Sequence, residues 1–155
     1  MGTKRIGLAR VEALLENLKR ELAMGAGTII SGAKGLQHIA TARTATSDGA
    51  TTGLIADGTS FVTVTSGGAN NIITLPTPTP GTIVWLSELL TTGYELRTDT
   101  PASVAINGGD GSGAESAIAG AIKLVRCVCI DSSEWMCTQF DADGDESKVE
   151  AAASS

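Results

Sequence analysis

Short runs of alternating β-branched residues, each closed by a cluster of glycine, proline or asparagine, recur from residue 60 to residue 140 and set the fold class. Ser60-Phe-Val-Thr-Val-Thr65 leads into Ser66-Gly-Gly-Ala-Asn70, and Asn71-Ile-Ile-Thr-Leu75 is stopped by Pro76, Pro78 and Pro80. Thr82-Ile-Val-Trp-Leu86, Gly93-Tyr-Glu-Leu-Arg97 and Ala102-Ser-Val-Ala-Ile106 follow at similar intervals. The longest run, Ala121 to Ile130, is turned back by Asp131-Ser-Ser133 into Glu134–Phe140. Branched side chains suit a pleated backbone, alternation turns one face toward a core, and Pro and Gly interrupt the ladder. The chain therefore reads as mainly β, with a β-sandwich or jelly-roll-like domain of about six or seven short strands. No fixed-period repeat is visible, which argues against a β-helix.

Composition agrees. Aromatics are 3% of the 155 residues, namely Phe61, Trp85, Tyr94, Trp135 and Phe140, so the core has to be built from Ile, Val, Leu and Ala. A hydrophobic content of 42% excludes a wholly disordered chain. Nineteen glycines serve the turns. The net charge of −6 argues against long-range attraction to nucleic acid or an anionic membrane. Lys4, Arg5, Arg10, Lys19 and Arg20 crowd one end; Asp141, Asp143, Asp145, Glu146 and Glu150 crowd the other. Glu12, Glu16 and Lys19 break any apolar run behind the first basic residues, so neither a secretion signal nor a membrane span is expected.

Residues 1–24 carry the one helical pattern. Leu8, Val11, Leu15, Leu18 and Leu22 alternate steps of three and four, Leu14 widens the same stripe, and Glu16 with Arg20 forms a favourable i,i+4 pair. Gly25-Ala-Gly27 supplies a left-handed stop. A lone amphipathic helix of this length is marginal in water. The seam therefore needs cover from its own β body, from a neighbouring protein, or from copies of itself in a short bundle. Leu8, Val11, Leu15, Leu18 and Leu22 are accordingly the candidate interface residues. Residues 25–59, with weak alternation around His38–Arg43, read as a Gly/Thr/Ala-rich extended arm or loosely paired strands, with a plain surface loop as the alternative; 60–140 read as the β domain and 141–155 as an acidic, flexible tail.

The residues that suggest chemistry have plainer readings. Asp141-Ala-Asp-Gly-Asp145 has the alternating carboxylates of a calcium loop, but Glu146 stands where the sharp bend needs Gly and Ala152 where the bidentate carboxylate belongs. Cys127 and Cys129 share one strand face, and Cys137 falls across the following hairpin; with His38 they would make four zinc ligands. C-x-C on a strand is poor zinc spacing, His38 is isolated, and buried thiols pack as small apolar groups. The odd cysteine count without a secretion signal also argues against a disulfide framework. His38 is the sole histidine and no nucleophile frame accompanies it. The glycine-dense Asn107–Gly113 stretch lacks the G-K-[S/T] of a phosphate loop. Trp85 and Trp135 are expected as core anchors rather than a sugar-stacking platform. No catalytic residue, cofactor or metal is expected.

The opening Lys4-Arg-Ile-Gly-Leu-Ala-Arg-Val-Glu-Ala-Leu-Leu-Glu-Asn-Leu-Lys-Arg-Glu-Leu22 resembles the start of small virion proteins of marine and cyanobacterial tailed phages. There, a similar R-I-G-x-A-R helix precedes a Gly/Thr/Ala-rich β region. Ile73-Thr-Leu-Pro-Thr-Pro-Thr-Pro-Gly-Thr-Ile-Val84 is similar, in a more generic way, to β domains of phage heads and fibres. The resemblance implies a capsid decoration or cement protein on the head exterior, often trimeric, with the major capsid protein as partner. A tail or fibre component is the alternative within the virion. A carbohydrate-binding β-sandwich module is the alternative of another class.

Overall fold

The computed structural model describes residues 7, 10–13, 40–109 and 116–149. The chain divides into two compact units, Met1–Leu36 and Gln37–Ser155. In the first unit residues 10–13 are helical, and the amides of Arg10 and Val11 both donate to the Gly7 carbonyl, at 2.9 and 3.3 Å. Leu8, Leu15, Leu18, Leu22 and His38 lie outside the described residues. Val11 is the one member of the seam that is described, and it is 39% exposed.

The second unit is mainly β, as its alternation requires. Its strands are β1 (Ala40–Thr44), β2 (Phe61–Thr65), β3 (Ile72–Thr74), β4 (Ile83–Glu88), β5 (Tyr94–Arg97), β6 (Ala105–Ile106), β7 (Ser116–Ile118), β8 (Leu124–Asp131), β9 (Glu134–Phe140) and β10 (Glu146–Lys148). A large sheet runs in the order β1-β2-β4-β8-β9-β10, with β6 also on β9, and a small sheet runs β3-β5-β7. Both sheets contribute to one core. Val62, Val64, Val84, Leu86, Val125, Cys127 and Trp135 come from the large sheet; Ile73, Tyr94, Leu96 and Ile118 come from the small one. In β2 the alternation is strict, with Val62 and Val64 fully buried between half-buried Phe61, Thr63 and Thr65.

Strand direction departs from the expected jelly-roll-like order. β1 pairs β2 and β2 pairs β4 in parallel, with Ala40 opposite Phe61 and Phe61 opposite Trp85. β3 pairs β5 in parallel, with Ile72 opposite Glu95, and Leu54 bridges Thr74 in parallel. From residue 40 to 97 the chain thus makes three successive circuits; the second and third give a strand to each sheet, and the first gives β1 to the large sheet and a single bridge, Leu54 to Thr74, beside the small one. β7 and β8 extend the two sheets in the reverse direction, pairing antiparallel with β5 and β4. The stacked-circuit arrangement set aside above for want of a repeat is therefore what residues 40–97 adopt. The reason lies in the connections. Segments 66–71 and 75–82 are corners that carry the chain to the other sheet, so the strands on either side of a double crossing run parallel, where a jelly roll is antiparallel. In the first corner Ser66, fully buried, donates to the Gly68 carbonyl at 2.7 Å, and the Asn71 amide donates to the same carbonyl at 3.0 Å. The second corner is held by the Thr77 amide on Asp57 Oδ1 at 3.1 Å and by the Gly81 amide on the Cys129 carbonyl at 2.9 Å.

Two further boundaries move. Within 25–59, residues 40–44 are a paired strand, where the weak alternation pointed to the loosely paired alternative rather than a free arm, and Ile55 is in the core. Within the expected acidic tail, residues 141–149 are an ordered hairpin: β10 pairs antiparallel with β9, and Val149 is 2% exposed. Asp141 is the reason for that turn. Its Oδ1 accepts the amides of Asp143 and Asp145, both at 2.9 Å, while Gly144 takes a φ of 86° that favours glycine. The carboxylate that suggested calcium is spent on its own backbone.

Candidate functional site

Alternation decides what each strand of the large sheet presents outward, and on four neighbouring strands that face is unusually apolar. Phe61 of β2 lies opposite Trp85 of β4, Trp85 opposite Arg126 of β8, and Arg126 opposite Thr138 of β9. One row along, Ile83, Val128 and Met136 are aligned; on the other side, Leu124 lies opposite Phe140, which faces Glu146 of β10. Ile83, Ile130 and Met136 are exposed at 46%, 49% and 45%. A solvated sheet face normally carries polar residues, so this row of aliphatic and aromatic groups is the outlier of the molecule.

The cation in the middle is held in place. The Arg126 guanidinium carbon lies 5.9 Å from the Trp85 ring centroid and 6.0 Å from that of Phe140, within cation–π range. Its Nη2 is 3.3 Å from Glu146 Oε1, with both side chains partly exposed, so the ion pair adds little stability and mainly sets orientation. Arg126 thereby lies beside two aromatic rings and is paired with one carboxylate, with its side chain 39% exposed. Trp85 belongs to this outer face and not to the core, contrary to expectation; Trp135 is the core anchor, fully buried. Residues 83–86 and 127–130 are continuous apolar runs, and that was the available signal: a strand apolar on both sides needs cover on both faces.

A shallow cleft of about 270 Å³ lies elsewhere, lined by Asp48, Gly49, Thr51, Thr74, Arg97 and Asp99, among others. Asp48, Thr74 and Arg97 are engaged in holding the 46–53 turn. Asp48 Oδ1 accepts the Ala50 amide at 3.0 Å and the Thr46 hydroxyl at 2.9 Å, which holds its carboxyl below the usual value. Thr74 Oγ1 donates to the Gly49 carbonyl at 2.8 Å, and Arg97 Nη2 donates to the Asp48 carbonyl.

The cysteines are brought together in part. Cys127 lies directly opposite Cys137, as their places on the hairpin suggested, and both are buried. Cys129 instead faces Trp135 in the register, and its thiol donates to the Asp131 carbonyl at 3.0 Å. Burial, then the hydrogen bond and charge of Cys137, push the Cys127 thiol well above its usual pKa. Tyr94 is pushed up likewise, by burial first and then by Cys127, Glu88 and Cys137. Such groups stay protonated and unreactive in the folded chain. Among the described residues no group of three or more His, Cys, Asp or Glu is placed to hold a metal, and no helix is long and apolar enough to cross a membrane. Comparison with protein-family models, curated proteins and solved structures found no match to this chain.

Proposed function

We propose that this protein is a non-catalytic virion structural protein of a tailed phage, a decoration or cement protein that docks on the head shell and ties neighbouring capsid subunits together. The observation that carries the reading is the apolar outer face of the large sheet. A rigid face bearing Phe61, Ile83, Trp85, Val128, Ile130, Met136 and Phe140 is costly to leave wet, and docking recovers about 25 cal/mol per Å² of apolar area removed from water. The leucine seam at Leu8, Val11, Leu15, Leu18 and Leu22 is the second attachment element in this reading, gathering copies into a trimer. Three weak contacts made at once by one trimer would give tight occupancy of a three-fold position. Residues that sequence alone made candidates for chemistry are used within the fold: Asp141 shapes a turn, and Cys127 and Cys137 lie inside.

Light scattering on the purified chain, followed by cosedimentation with undecorated phage shells, tests the proposal. A trimer that pellets with shells, and loses pelleting in Ile83→Asp and Met136→Asp, supports it; a monomer that ignores shells overturns it. A tail or fibre role is favoured by one observation, the parallel stacking of β1, β2 and β4, which extends readily along an axis. Copy number in particles separates the two, since hundreds of copies mean head and a few mean tail.

A further inference from the structure

Cys127 and Cys137 are more than two buried thiols. They are exact partners in the antiparallel β8–β9 ladder, and their backbones face away from each other. The Cys137 amide donates to Asn107 Oδ1 at 2.7 Å and its carbonyl accepts the Val149 amide at 3.2 Å, both on the outer edge of β9. On the other strand, the Cys129 amide donates to the Thr82 carbonyl at 2.9 Å, which by two-residue alternation turns the backbone of Cys127 toward β4 as well. Cys127 and Cys137 therefore occupy a non-hydrogen-bonded site, where Cα atoms approach to about 4.5 Å, inside the range of roughly 4.4–6.8 Å that a disulfide spans. Both side chains are buried in the core.

We propose that Cys127 and Cys137 are the site of a cross-strand disulfide that forms by exchange with a small-molecule disulfide and locks the β8–β9 hairpin, leaving Cys129 as a free thiol. One cysteine thiolate attacks a sulfur of the small disulfide and expels a thiolate. The second cysteine, after losing its proton to solvent, attacks the protein sulfur of the mixed disulfide and expels a second thiolate. Two protein thiols are oxidised as one small disulfide is reduced to two thiols, so electrons and protons balance. Cys129 cannot replace either partner, because its register neighbour is Trp135 and its thiol is turned to the Asp131 carbonyl. Cys127 is fully buried and held protonated, so exchange in the native chain waits on opening of the hairpin edge and is fastest during folding. That edge is thin: β6, the three exposed residues of β10 and the Asn107 side chain cover it.

The test is refolding of the full chain in mixed reduced and oxidised glutathione, then denaturation, alkylation with N-ethylmaleimide and peptide mapping. The expected product is two hydrogens lighter, takes up one maleimide at Cys129, yields a Cys127–Cys137 linked peptide, and melts roughly 5–10 °C above the reduced form. Cys129→Ala should still form the bond, and Cys137→Ala should not. Three maleimides on a correctly refolded chain, a link that includes Cys129, or refolding that succeeds only with reductant would each overturn the proposal. None of these outcomes depends on shell binding.

Discussion

Asn107 does at the outer edge of β9 what a strand residue would otherwise do. Its Nδ2 donates to the carbonyls of Cys137 and Val149, at 2.8 and 3.0 Å, and its Oδ1 accepts the Cys137 amide. The side chain thus fills the gap between β6 and β10 on one edge of β9. Its backbone sits at a φ of 53°, a left-handed value that asparagine tolerates better than most residues. Asn107→Ala should cost about 2–3 kcal/mol, since the Cys137 amide and the Val149 carbonyl lose this partner together and the Cys137 carbonyl keeps only the Val149 amide, and a urea midpoint measures it. A loss below about 0.5 kcal/mol would mean water replaces the amide. Tyr94 and Cys127 set the response to base. Both have folded pKa values above their ordinary 10.0 and 9.0. Their contribution is fully present below those ordinary values and is lost as pH rises toward the folded ones, because the unfolded chain loses its protons first. The urea midpoint should fall from about pH 9 upward, and Tyr94→Phe should flatten part of that slope.

At the scale of elements, two glycines control how the loop after β4 meets the turn before β8. A Cβ on Gly120 would lie 1.9 Å from the Thr91 carbonyl oxygen, and one on Gly93 would lie 2.6 Å from that of Ile118, with a φ of 81° besides. Backbone is what they would strike, so neither clash is relieved by turning a side chain. Gly120→Ala should therefore lower stability by about 2–3 kcal/mol or more, read as a drop in melting temperature, whereas Gly58→Ala meets open space and bears only the strain of its φ of 79°. On the outer face of the large sheet the opposite result is expected. Ile83 and Met136 are already about half exposed, so Ile83→Asp and Met136→Asp should change stability by under about 1 kcal/mol while removing shell binding. A matching loss of stability and binding would show that these residues act by holding the sheet.

For the whole molecule, two levels of reinforcement are stacked on one core. Three parallel circuits bury Val62, Val64, Ile73, Leu75, Val84, Leu86 and Leu96, and the antiparallel β8–β9 hairpin closes that core with Val125, Cys127, Trp135 and Cys137. Leu86→Ala, at the centre, should cost roughly 2–5 kcal/mol, because a fully buried leucine leaves a cavity its neighbours only partly fill. Removing β10 by ending the chain at Asp145 should uncover Val149's place on β9 and expose amides of that strand; faster hydrogen exchange across 137–140 is the expected readout. Unchanged protection there would mean that β6 and Asn107 alone cover the edge.

Position and facing of most strands were legible in the residues, because both depend on local pattern. Phe61–Thr65, Ile83–Glu88 and Glu134–Phe140 alternate on their own backbone, and Asp131 forms its turn with Ser133, two residues away. Partner choice was not legible. Whether Thr65 turns back on itself or crosses to the other sheet depends on which distant ladder gains more, and a glycine-rich corner permits both. The same non-local choice placed Trp85 beside Arg126 on the outside and drew residues 146–149 out of an apparent tail, whereas the facing of Cys127 and Cys137 followed from a local hairpin. Local sequence determined where β structure forms and how side chains alternate along each strand; only tertiary pairing decided neighbours and which face is covered, since that energy belongs to contacts between residues far apart in the chain.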